Sequence, residues 1–445
     1  MGTDLAPFVI GTPSSLATVL VASSRDHHVV KVEAGGFCMR HKRIGSCIMA
    51  IIMALTFSAC NTNPTASSSA TSSPAGATSV SHQPETTEPS GTSMQSDLTD
   101  QTTSDSSTFE STTLEQTSAA TTTLTVETTS TAPRLRTITL NFVGDCTLGT
   151  DPSYKPGRRF TDILEQQGGD FSYFFRNVAS IFEQDDLTIV NLESSLTTAT
   201  DEMVRKYNYK GDPSYVNILL EGSVEVANLA NNHTYDFLEQ GHQDTKDTLR
   251  SAGVDYYGYT DVLIRDIDGI SVGFAGYNIH DLPESDAVHL DSDIRNAMSY
   301  LEDMDVDIRI VSFHWSTERE YYYDESMTEL AQMVIDLGAD LVVGHHPHVL
   351  QGIEQYNGVY VAYSLGNFCY GGSHKPADKD SVILQSRFTF SEDELTAREI
   401  TLIPVSISSI EAYNNFQPTV LAGDEAQRVL QRINSFSKDY QYPIP

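Results

Sequence analysis

The most informative stretch of this sequence is Ala339-Asp-Leu-Val-Val-Gly-His-His-Pro-His348. The apolar, β-branched run at residues 341–343 predicts a buried strand that ends at the following glycine. Alternate side chains of an extended chain share a face, so we expect His346 and His348 to converge and His345 to face away. Imidazoles packed this closely would repel each other if protonated, and metal ligation requires their neutral form. The triplet therefore favours a metal site over a polar loop that is rich in histidine by chance.

The N-terminal part of the chain has the layout of a secretory signal. Within residues 39–60 a basic patch precedes a short apolar run, and Ser58-Ala59-Cys60 closes it. The apolar run is too short for a transmembrane helix, and a cysteine after small residues resembles a bacterial lipobox. We expect a lipoprotein anchored in the bilayer through Cys60; ordinary signal cleavage and an uncleaved anchor are the alternatives. Residues 1–38 are then a non-native extension.

Residues 61–133 are rich in serine and threonine and contain almost no aromatic residues. Such a segment cannot bury enough apolar surface to offset the entropy lost on ordering, so we expect a disordered linker. The whole chain carries a net charge of −33, from 27 basic and 60 acidic residues. This charge would repel phosphate backbones, which argues against a nucleic acid as the partner.

The remaining residues, 134–445, are numerous enough for one large α/β domain. Apolar and β-branched runs predict strands at residues 137–143, 187–190, 224–229, 270–275, 308–313, 341–343 and 359–363. Helical periodicity predicts helices at residues 173–182, 238–252 and 327–337. This alternation predicts a layered α/β fold with a largely parallel core sheet.

Polar side chains follow five of the predicted strands. They are Asp145, Glu193, Asn232 with His233, His314, and the triplet at His345, His346 and His348. The carboxyl ends of strands form the ligand crevice of α/β sheets, so these side chains are expected to share one site. Oxygen and imidazole ligands without thiolates suit Mn, Fe, Zn or Mg. Each residue alone also fits a structural role, such as capping a turn or filling the core.

These motifs resemble the CapA family, the poly-γ-glutamate capsule-synthesis proteins with a calcineurin-like metallophosphoesterase fold. The resemblance runs from about residue 137 to about residue 437. Its carriers are Phe142-Val-Gly-Asp145, Val190-Asn-Leu-Glu-Ser194, Leu229-Ala-Asn-Asn-His233, His314-Trp315, Val343-Gly-His-His-Pro-His348 and Tyr363-Ser-Leu-Gly-Asn-Phe368. It implies a layered α/β sandwich of the metallophosphatase type, preceded by the disordered stalk.

The resemblance also implies a set of ligands for one or two divalent metal ions. These ligands are Asp145, Glu193, Asn232, His314, His346 and His348. Glu193 would bridge the two ions, which together would clamp a phosphate for in-line displacement. The superfamily has a histidine two residues after the first aspartate, whereas this chain has Thr147. One metal position therefore lacks a strong ligand.

The same resemblance implies catalytic and substrate-binding residues. His233 would protonate a leaving oxygen as the general acid, and Asp236 would orient it. Lys210 and Asn367 would face the substrate. A lysine holds a phosphate or carboxylate as a point charge and lacks the bidentate grip of an arginine. A solvated loop is the alternative interpretation of the segment around Lys210.

Two functional hypotheses follow. In the first, the protein is a cell-surface, CapA-like hydrolase or transferase of capsule synthesis or export, acting on a phosphate ester or a γ-glutamyl polymer. In the second, it is a non-catalytic factor that binds an anionic polymer and assists membrane capsule-assembly proteins. A solute-binding lipoprotein is a third option, against which the ligands at the strand ends argue.

The lipobox-like sequence predicts that the mature protein begins at an acylated Cys60. Removal of the apolar run and addition of lipid together anchor such a chain at the membrane surface. Mass spectrometry of the mature N-terminus checks this expectation. A mature chain that begins elsewhere and carries no acyl group would contradict it.

Overall fold

The computed structural model describes the backbone of two short N-terminal segments and nearly all of the domain that begins at residue 134. The described ranges are Thr18–Ser23, Asp26–Lys31, 134–280 and 284–444, with the backbone alone at 284–288. The N-terminal segments form an antiparallel pair of strands, β1 (Thr18–Ser23) and β2 (Asp26–Lys31). The predicted signal peptide and stalk lie outside the described residues. Among the described helices, none is both long enough and apolar enough to cross a bilayer.

The folded domain alternates strands and helices. Its strands are β3 (Leu135–Thr147), β4 (Leu187–Leu192), β5 (Ser195–Leu196), β6 (Lys210–Gly211), β7 (Val226–Asn228), β8 (Asp255–Tyr257), β9 (Leu263–Ile267), β10 (Ile270–Asn278), β11 (Ile308–His314), β12 (Leu341–His345), β13 (Ile353–Tyr356), β14 (Val359–Ala362), β15 (Asn367–Tyr370), β16 (Asp380–Ser391), β17 (Glu394–Ser406) and β18 (Thr419–Val420). Its α-helices are α1 (Phe160–Gln166), α2 (Ala179–Phe182), α3 (Val216–Glu221), α4 (Leu238–Ala252), α5 (Glu284–Asp303), α6 (Glu325–Asp336) and α7 (Gly423–Phe436).

The strands form two large mixed sheets. The eight-stranded sheet has the order β18-β17-β16-β3-β4-β7-β8, with β15 also paired to β3. The six-stranded sheet has the order β13-β14-β12-β11-β10-β9. The eight-stranded sheet is parallel from β3 through β4 and β7 to its edge strand β8 and antiparallel on the other side of β3, through β16, β17 and β18. The six-stranded sheet is parallel through β10-β11-β12-β14 and antiparallel at both edges. The expectation of a single largely parallel sheet is therefore corrected to two sheets, each with a parallel core.

The layers of the domain pack against one another through three apolar cores. Side chains alternate between the two faces of each strand, so one strand contributes to two of these cores. In β11, Ile308 and Ile310 belong to the core between the sheets, which also contains Phe142 of β3. Val311 and Phe313 belong to a second core under α5 and α6. A third core lies between the outer face of the eight-stranded sheet and helices α1 to α4. The result is a layered α/β sandwich, as predicted.

Local signals predicted some helices better than others. Helix α4 has the predicted bounds and ends at Gly253, whose φ of 80° is the left-handed conformation that glycine adopts readily. The predicted helix at residues 173–182 is wrong. Only a 3-10 turn at Phe171–Tyr173 and the short α2 are present there. Phe174 is fully buried and stacks on Phe160 with ring centroids 4.3 Å apart, so aromatic packing dominates over helical periodicity in this segment.

Deletion of residues 1–133 should leave the thermal midpoint of the domain within about 2 °C of that of the full chain. For a domain of this size such a shift corresponds to a change of about 1.3 kcal/mol in the free energy of unfolding. The composition of residues 61–133 offers no core, and the first strand of the domain begins at Leu135. Differential scanning calorimetry of the two chains measures the shift. A larger drop would show that the deleted stretch packs on the domain.

Candidate metal centre

The candidate site lies where the carboxyl ends of strands from both sheets meet. In the eight-stranded sheet, Asp145 lies near the end of β3, Glu193 directly follows β4, and Asn232 follows β7. In the six-stranded sheet, His314 ends β11 and His345 ends β12. The backbones approach closely here, since the amide of Asp145 donates to the carbonyl of Gly366 at 2.9 Å. The sandwich therefore assembles polar groups that are far apart in the sequence.

One group of potential ligands consists of Asp145, Glu193 and His348, and one ligand atom from each lies within 4.8 Å of the others. His348 Nδ1 is 3.0 Å from Asp145 Oδ2, and His348 Nε2 is 3.7 Å from Glu193 Oε1. Both carboxylates are fully buried. Two carboxylates and one imidazole around a common point form a donor set suited to a divalent cation.

A second group consists of Glu193, His314 and His346, again with ligand atoms within 4.8 Å of one another. His314 Nε2 lies 3.6 Å from Glu193 Oε1, 3.1 Å from His346 Nδ1 and 3.0 Å from Asn232 Oδ1. Glu193 is common to both groups. The structure thus brings together all six residues that the sequence singled out, around a shared carboxylate.

Unpaired polar atoms indicate that these residues suit a cation. Glu193 Oε1 and His346 Nε2 are buried without a hydrogen-bond partner among the described residues, and Asp145 Oδ2 has only its ion-pair contact with His348 Nδ1. Burial of an unpaired polar atom costs about 1–3 kcal/mol, and more for a charged group. A divalent cation in each of the two groups would give these atoms a partner. The donors are oxygen and imidazole nitrogen, the set that Mn, Fe, Zn and Mg share.

The pKa values of the two carboxylates in the site are shifted in opposite directions. Burial raises the pKa of Glu193 well above its usual range, and the nearby charge of Asp145 adds to the increase. Burial would also raise the pKa of Asp145, but the imidazoles of His345 and His348 outweigh it and hold the pKa well below its usual range. Glu193 therefore gains most from a bound cation, because a nearby positive charge favours its ionised form.

The histidines also differ from one another. Burial lowers the pKa of His346 to about 2, helped by the charges of His348 and His280. Burial lowers the pKa of His314 well below its usual range, and His346 adds to that effect. Burial would likewise lower the pKa of His348, but Glu193 and Asp145 outweigh it and raise the pKa to about 9. His314 and His346 are therefore held neutral, the form in which imidazole ligates a metal.

The three histidines converge through a turn and not through the alternation of an extended strand. Strand β12 ends at His345, and His346 and His348 have φ values of 95° and 57°, in the left-handed region. The expectation that His345 points away is wrong. Its Nδ1 lies 3.4 Å from Asp145 Oδ1, so it flanks the other oxygen of the carboxylate that His348 contacts.

Sequence reasoning missed several side chains that support the centre. Asn191 Nδ2 donates to Asp145 Oδ1 at 2.8 Å, and Asn228 Nδ2 donates to Asn191 Oδ1 at 3.1 Å. These three residues are direct neighbours across β3, β4 and β7, so the register of the sheet builds the ladder. His280 packs its ring against that of His346, with centroids 3.7 Å apart. The asparagine after Val190 was a signal in the sequence, whereas nothing local marks His280.

The predicted catalytic pair lies beside the ligands. His233 Nδ1 is 2.6 Å from Asp236 Oδ2, and Asp236 also accepts from Arg205 Nη1 at 2.9 Å and from the amide of Tyr209 at 2.5 Å. Burial lowers the pKa of His233, although the carboxylate of Asp236 opposes this effect. A neutral imidazole that donates through Nδ1 directs Nε2 away from Asp236. The pair is thus held in one orientation.

The two predicted substrate-binding residues have their polar groups engaged by the protein. Lys210 Nζ donates to the carbonyl of Ala199 at 2.7 Å and lies 4.5 Å from the ring centroid of Phe237. Asn367 Oδ1 lies 3.0 Å from His348 Nδ1, and Asn367 Nδ2 donates to the His348 carbonyl. Asn367 therefore orients His348, one of the candidate metal ligands. Direct contact of either residue with a substrate stays a prediction.

Thr147 occupies the position where the superfamily has a histidine. It is fully buried, and its hydroxyl donates to Glu193 Oε2 at 3.5 Å. The hydroxyl therefore supports the shared carboxylate from within the site. A longer imidazole at this position would reach towards the same carboxylate.

Comparisons with known proteins show which family and relatives this chain resembles. The family model described as "Bacterial capsule synthesis protein PGA_cap" matches residues 139–371. The chain is 27% identical over 297 residues to the PGA biosynthesis protein CapA of Bacillus subtilis, which covers 62% of this chain and 75% of that protein. It is 27% identical over 270 residues to the capsule biosynthesis protein CapA of Bacillus anthracis, covering 56% and 63%. Among solved structures, a hypothetical protein from Thermus thermophilus aligns with a TM-score of 0.37 and 15% identity, covering 60% of this chain and 99% of that one.

Replacement of His348 by alanine should abolish metal binding, because the imidazole contacts both carboxylates of the first ligand group. Thr147→His should tighten metal binding by adding a ligand beside Glu193. Inductively coupled plasma mass spectrometry of the purified proteins measures the bound metal. His289→Ala, at an exposed position of α5, is the matched control that removes a histidine elsewhere. Unchanged metal content in His348→Ala would contradict the assignment.

Proposed function

This chain belongs to the bacterial capsule synthesis protein PGA_cap family, and from that premise we propose that it acts in capsular poly-γ-glutamate synthesis as a metal-dependent hydrolase. Its CapA relatives in two Bacillus species carry names from PGA and capsule biosynthesis. The resemblance to the CapA family that the motifs indicated is confirmed. The enzymatic activity, the metal and the substrate are parts of the proposal.

One observation carries the proposal: two groups of potential ligands share Glu193 beside an oriented histidine–aspartate pair. Asp145, Glu193 and His348 would hold one ion, and Glu193, His314 and His346 would hold the other, with Asn232 beside His314. Bound divalent ions would stabilise the negative charge that develops on a phosphoryl oxygen. A purely structural site would not require a second group at a common carboxylate.

The residues of the chain supply orientation and proton transfer. Asp236 accepts the Nδ1 proton of His233, which leaves Nε2 as the nitrogen that exchanges a proton with the substrate. Arg205 and the amide of Tyr209 hold Asp236 in place, so the imidazole cannot rotate without breaking this network. His233 in its protonated form would donate to a leaving oxygen, and the resulting neutral imidazole stays paired with Asp236.

We further propose a location at the outer face of the membrane, with the domain tethered through Cys60 and the serine- and threonine-rich stretch after it. The motivation is the signal-like sequence at residues 39–60. The substrate would then be an extracytoplasmic anionic polymer or a phosphate ester attached to one. Membrane proteins of capsule assembly are the partners that such a location makes accessible.

A second function is favoured by Thr147, which replaces a metal-ligating histidine of the superfamily. A centre with weaker affinity for one ion suits a protein that binds an anionic polymer without cleaving it. In that case the metal would hold carboxylates or phosphates of the polymer, and the protein would assist a membrane assembly complex. The two functions differ in whether they require proton transfer by His233.

His233→Ala should retain bound metal while hydrolysis falls by about 10²–10⁴-fold, the loss typical of a removed acid–base group. The reason is that His233 contacts Asp236 and belongs to neither ligand group. Turnover on a panel of phosphomonoesters, phosphodiesters and poly-γ-glutamate, together with metal analysis, measures both effects. The control is His289→Ala.

Loss of metal in His233→Ala would contradict its assignment as the general acid. If the metal-loaded wild-type protein hydrolysed nothing on the panel and His233→Ala still supported capsule formation in cells, the binding factor would replace the enzyme. These outcomes separate the two functions, because only the enzyme depends on proton transfer by His233.

A further inference from the structure

A wall of tyrosine rings extends from the metal centre to the protein surface. Tyr370 packs against the His348 ring, with centroids 5.2 Å apart, and Tyr209 packs against the His233 ring at 4.4 Å. Tyr207 lies parallel to Tyr209 at 6.3 Å, and Tyr154 meets Tyr207 edge to face at 5.7 Å. Tyr209 and Tyr370 are buried, whereas Tyr207 is 36% exposed. The row therefore connects the buried centre to solvent.

Three loops carry this wall and are tied to one another. Tyr154 donates its hydroxyl proton to the carbonyl of Gly372 at 2.7 Å, which joins the loop after β3 to the loop after β15. The amide of Asn208 donates to Asp151 Oδ2 at 2.7 Å, which joins the loop before β6 to the loop after β3. Asn414 Nδ2 donates to the carbonyl of Tyr370. The loops therefore present one continuous surface.

Within three segments of these loops the charged residues are all basic, whereas Asp201 and Glu202 are exposed earlier in the loop before β6. Segments 153–159, 206–210 and 371–377 contain no aspartate or glutamate. Their solvent-facing basic side chains, here named the basic rim, are Lys155, Arg158, Lys206 and Lys375, with half-buried His374 beside them. Partial burial lowers the pKa of His374, and the charges of Arg158 and Lys375 lower it further. On a chain with a net charge of −33, such a region stands out.

Within the part of the chain that the structure describes, no basic side chain of the rim forms an ion pair with a carboxylate. Lys206 Nζ lies 4.8 Å above the Tyr207 ring, and the guanidinium of Arg158 lies 5.3 Å from the Tyr413 ring. These cation–π contacts orient the charges without neutralising them. By contrast, Arg159 of the same loop pairs with Asp162 at 2.8 Å, and Lys210 is held by a carbonyl. Arg159 and Lys210 therefore serve the structure, whereas Lys206 and Arg158 keep their charge available to a ligand.

We propose that the basic rim and the tyrosine wall form a docking track for an extended, carboxylate-bearing chain of the γ-glutamyl type, leading it to the metal centre. The proposal rests on the proposed function for the identity of the polymer. Lysine ammonium groups hold carboxylates as point charges, so they tolerate a flexible chain whose charges are not in a fixed register. Tyrosine rings offer apolar area for the methylene groups between carboxylates and a hydroxyl for the amides.

The experiment uses the full chain and fluorescently labelled poly-γ-glutamate, with binding followed by fluorescence anisotropy at low and high salt. The test variant is the double charge reversal Lys155→Glu with Lys206→Glu. The matched control is Arg250→Glu with Arg387→Glu, which makes the same change in net charge at exposed positions of α4 and β16. Bound metal and turnover on a small phosphate ester are measured for each protein.

The rim variant should bind the polymer at least about tenfold more weakly at low salt, with a shallower salt dependence, because rim charges act over about one Debye length. The control should change affinity by less than about twofold, since its positions lie outside the rim segments and share only the change in net charge. Metal content and turnover of the small ester should not change in either variant. Tyr207→Ala should weaken polymer binding without altering the salt dependence, since it removes area and no charge.

Equal polymer affinity in the rim variant and the control would overturn the docking track, as would a wild-type protein that does not bind poly-γ-glutamate. Tighter binding of inorganic polyphosphate than of poly-γ-glutamate at equal charge would overturn the assignment to carboxylate chains. Failure of the proposed hydrolase would show separately, as absent turnover of every ester by a metal-loaded protein. The two failures are therefore distinguishable.

Discussion

The burial of the Glu193 carboxylate at the junction of the two sheets is the constraint on which the rest of the site depends. Glu193 is shared by two groups of potential ligands, and its carboxylate is fully buried beside that of Asp145. Two neighbouring carboxylates in a low-dielectric interior disfavour each other's ionised form unless a positive charge compensates. The imidazoles supply part of this compensation, through the contact of His348 with both carboxylates. A divalent cation would supply the rest.

The surrounding structure is arranged to hold this unfavourable assembly in place. Amide groups of Asn191 and Asn228 form a ladder behind Asp145, and Asn367 holds His348. Close backbone packing adds to this, because a side chain at Gly144 would collide with the carbonyl of Gly366 at 2.0 Å. Ligands that are oriented before binding lose less entropy when an ion arrives. Residues outside the set of candidate ligands therefore fix the orientation of those ligands.

The surface around the centre differs in charge from the rest of the chain. Most of the chain is acidic, but the loop segments beside the tyrosine wall carry only basic charges. A buried centre reached by a track of this kind suits a long flexible substrate, since the rim can hold parts of the chain that take no part in chemistry. The same arrangement would serve a protein that only binds the polymer, so the rim fits either function proposed for the centre.

The motifs of the sequence, through their resemblance to a known family, predicted the candidate ligands, and polar residues after β-branched runs indicated the carboxyl ends of strands. Local patterns also predicted the α/β class and helix α4. The sequence did not determine that the ends come from two sheets. Antiparallel strands β16 and β17, which were not predicted, complete the sheet that contains Asp145. Nor did it determine the position of His345, since the left-handed turn at His346 replaces strand alternation. His280 and the tyrosine wall are also products of tertiary structure. Local patterns report the neighbours of a residue along the chain, whereas packing between layers decides which strand ends, loops and rings meet in space.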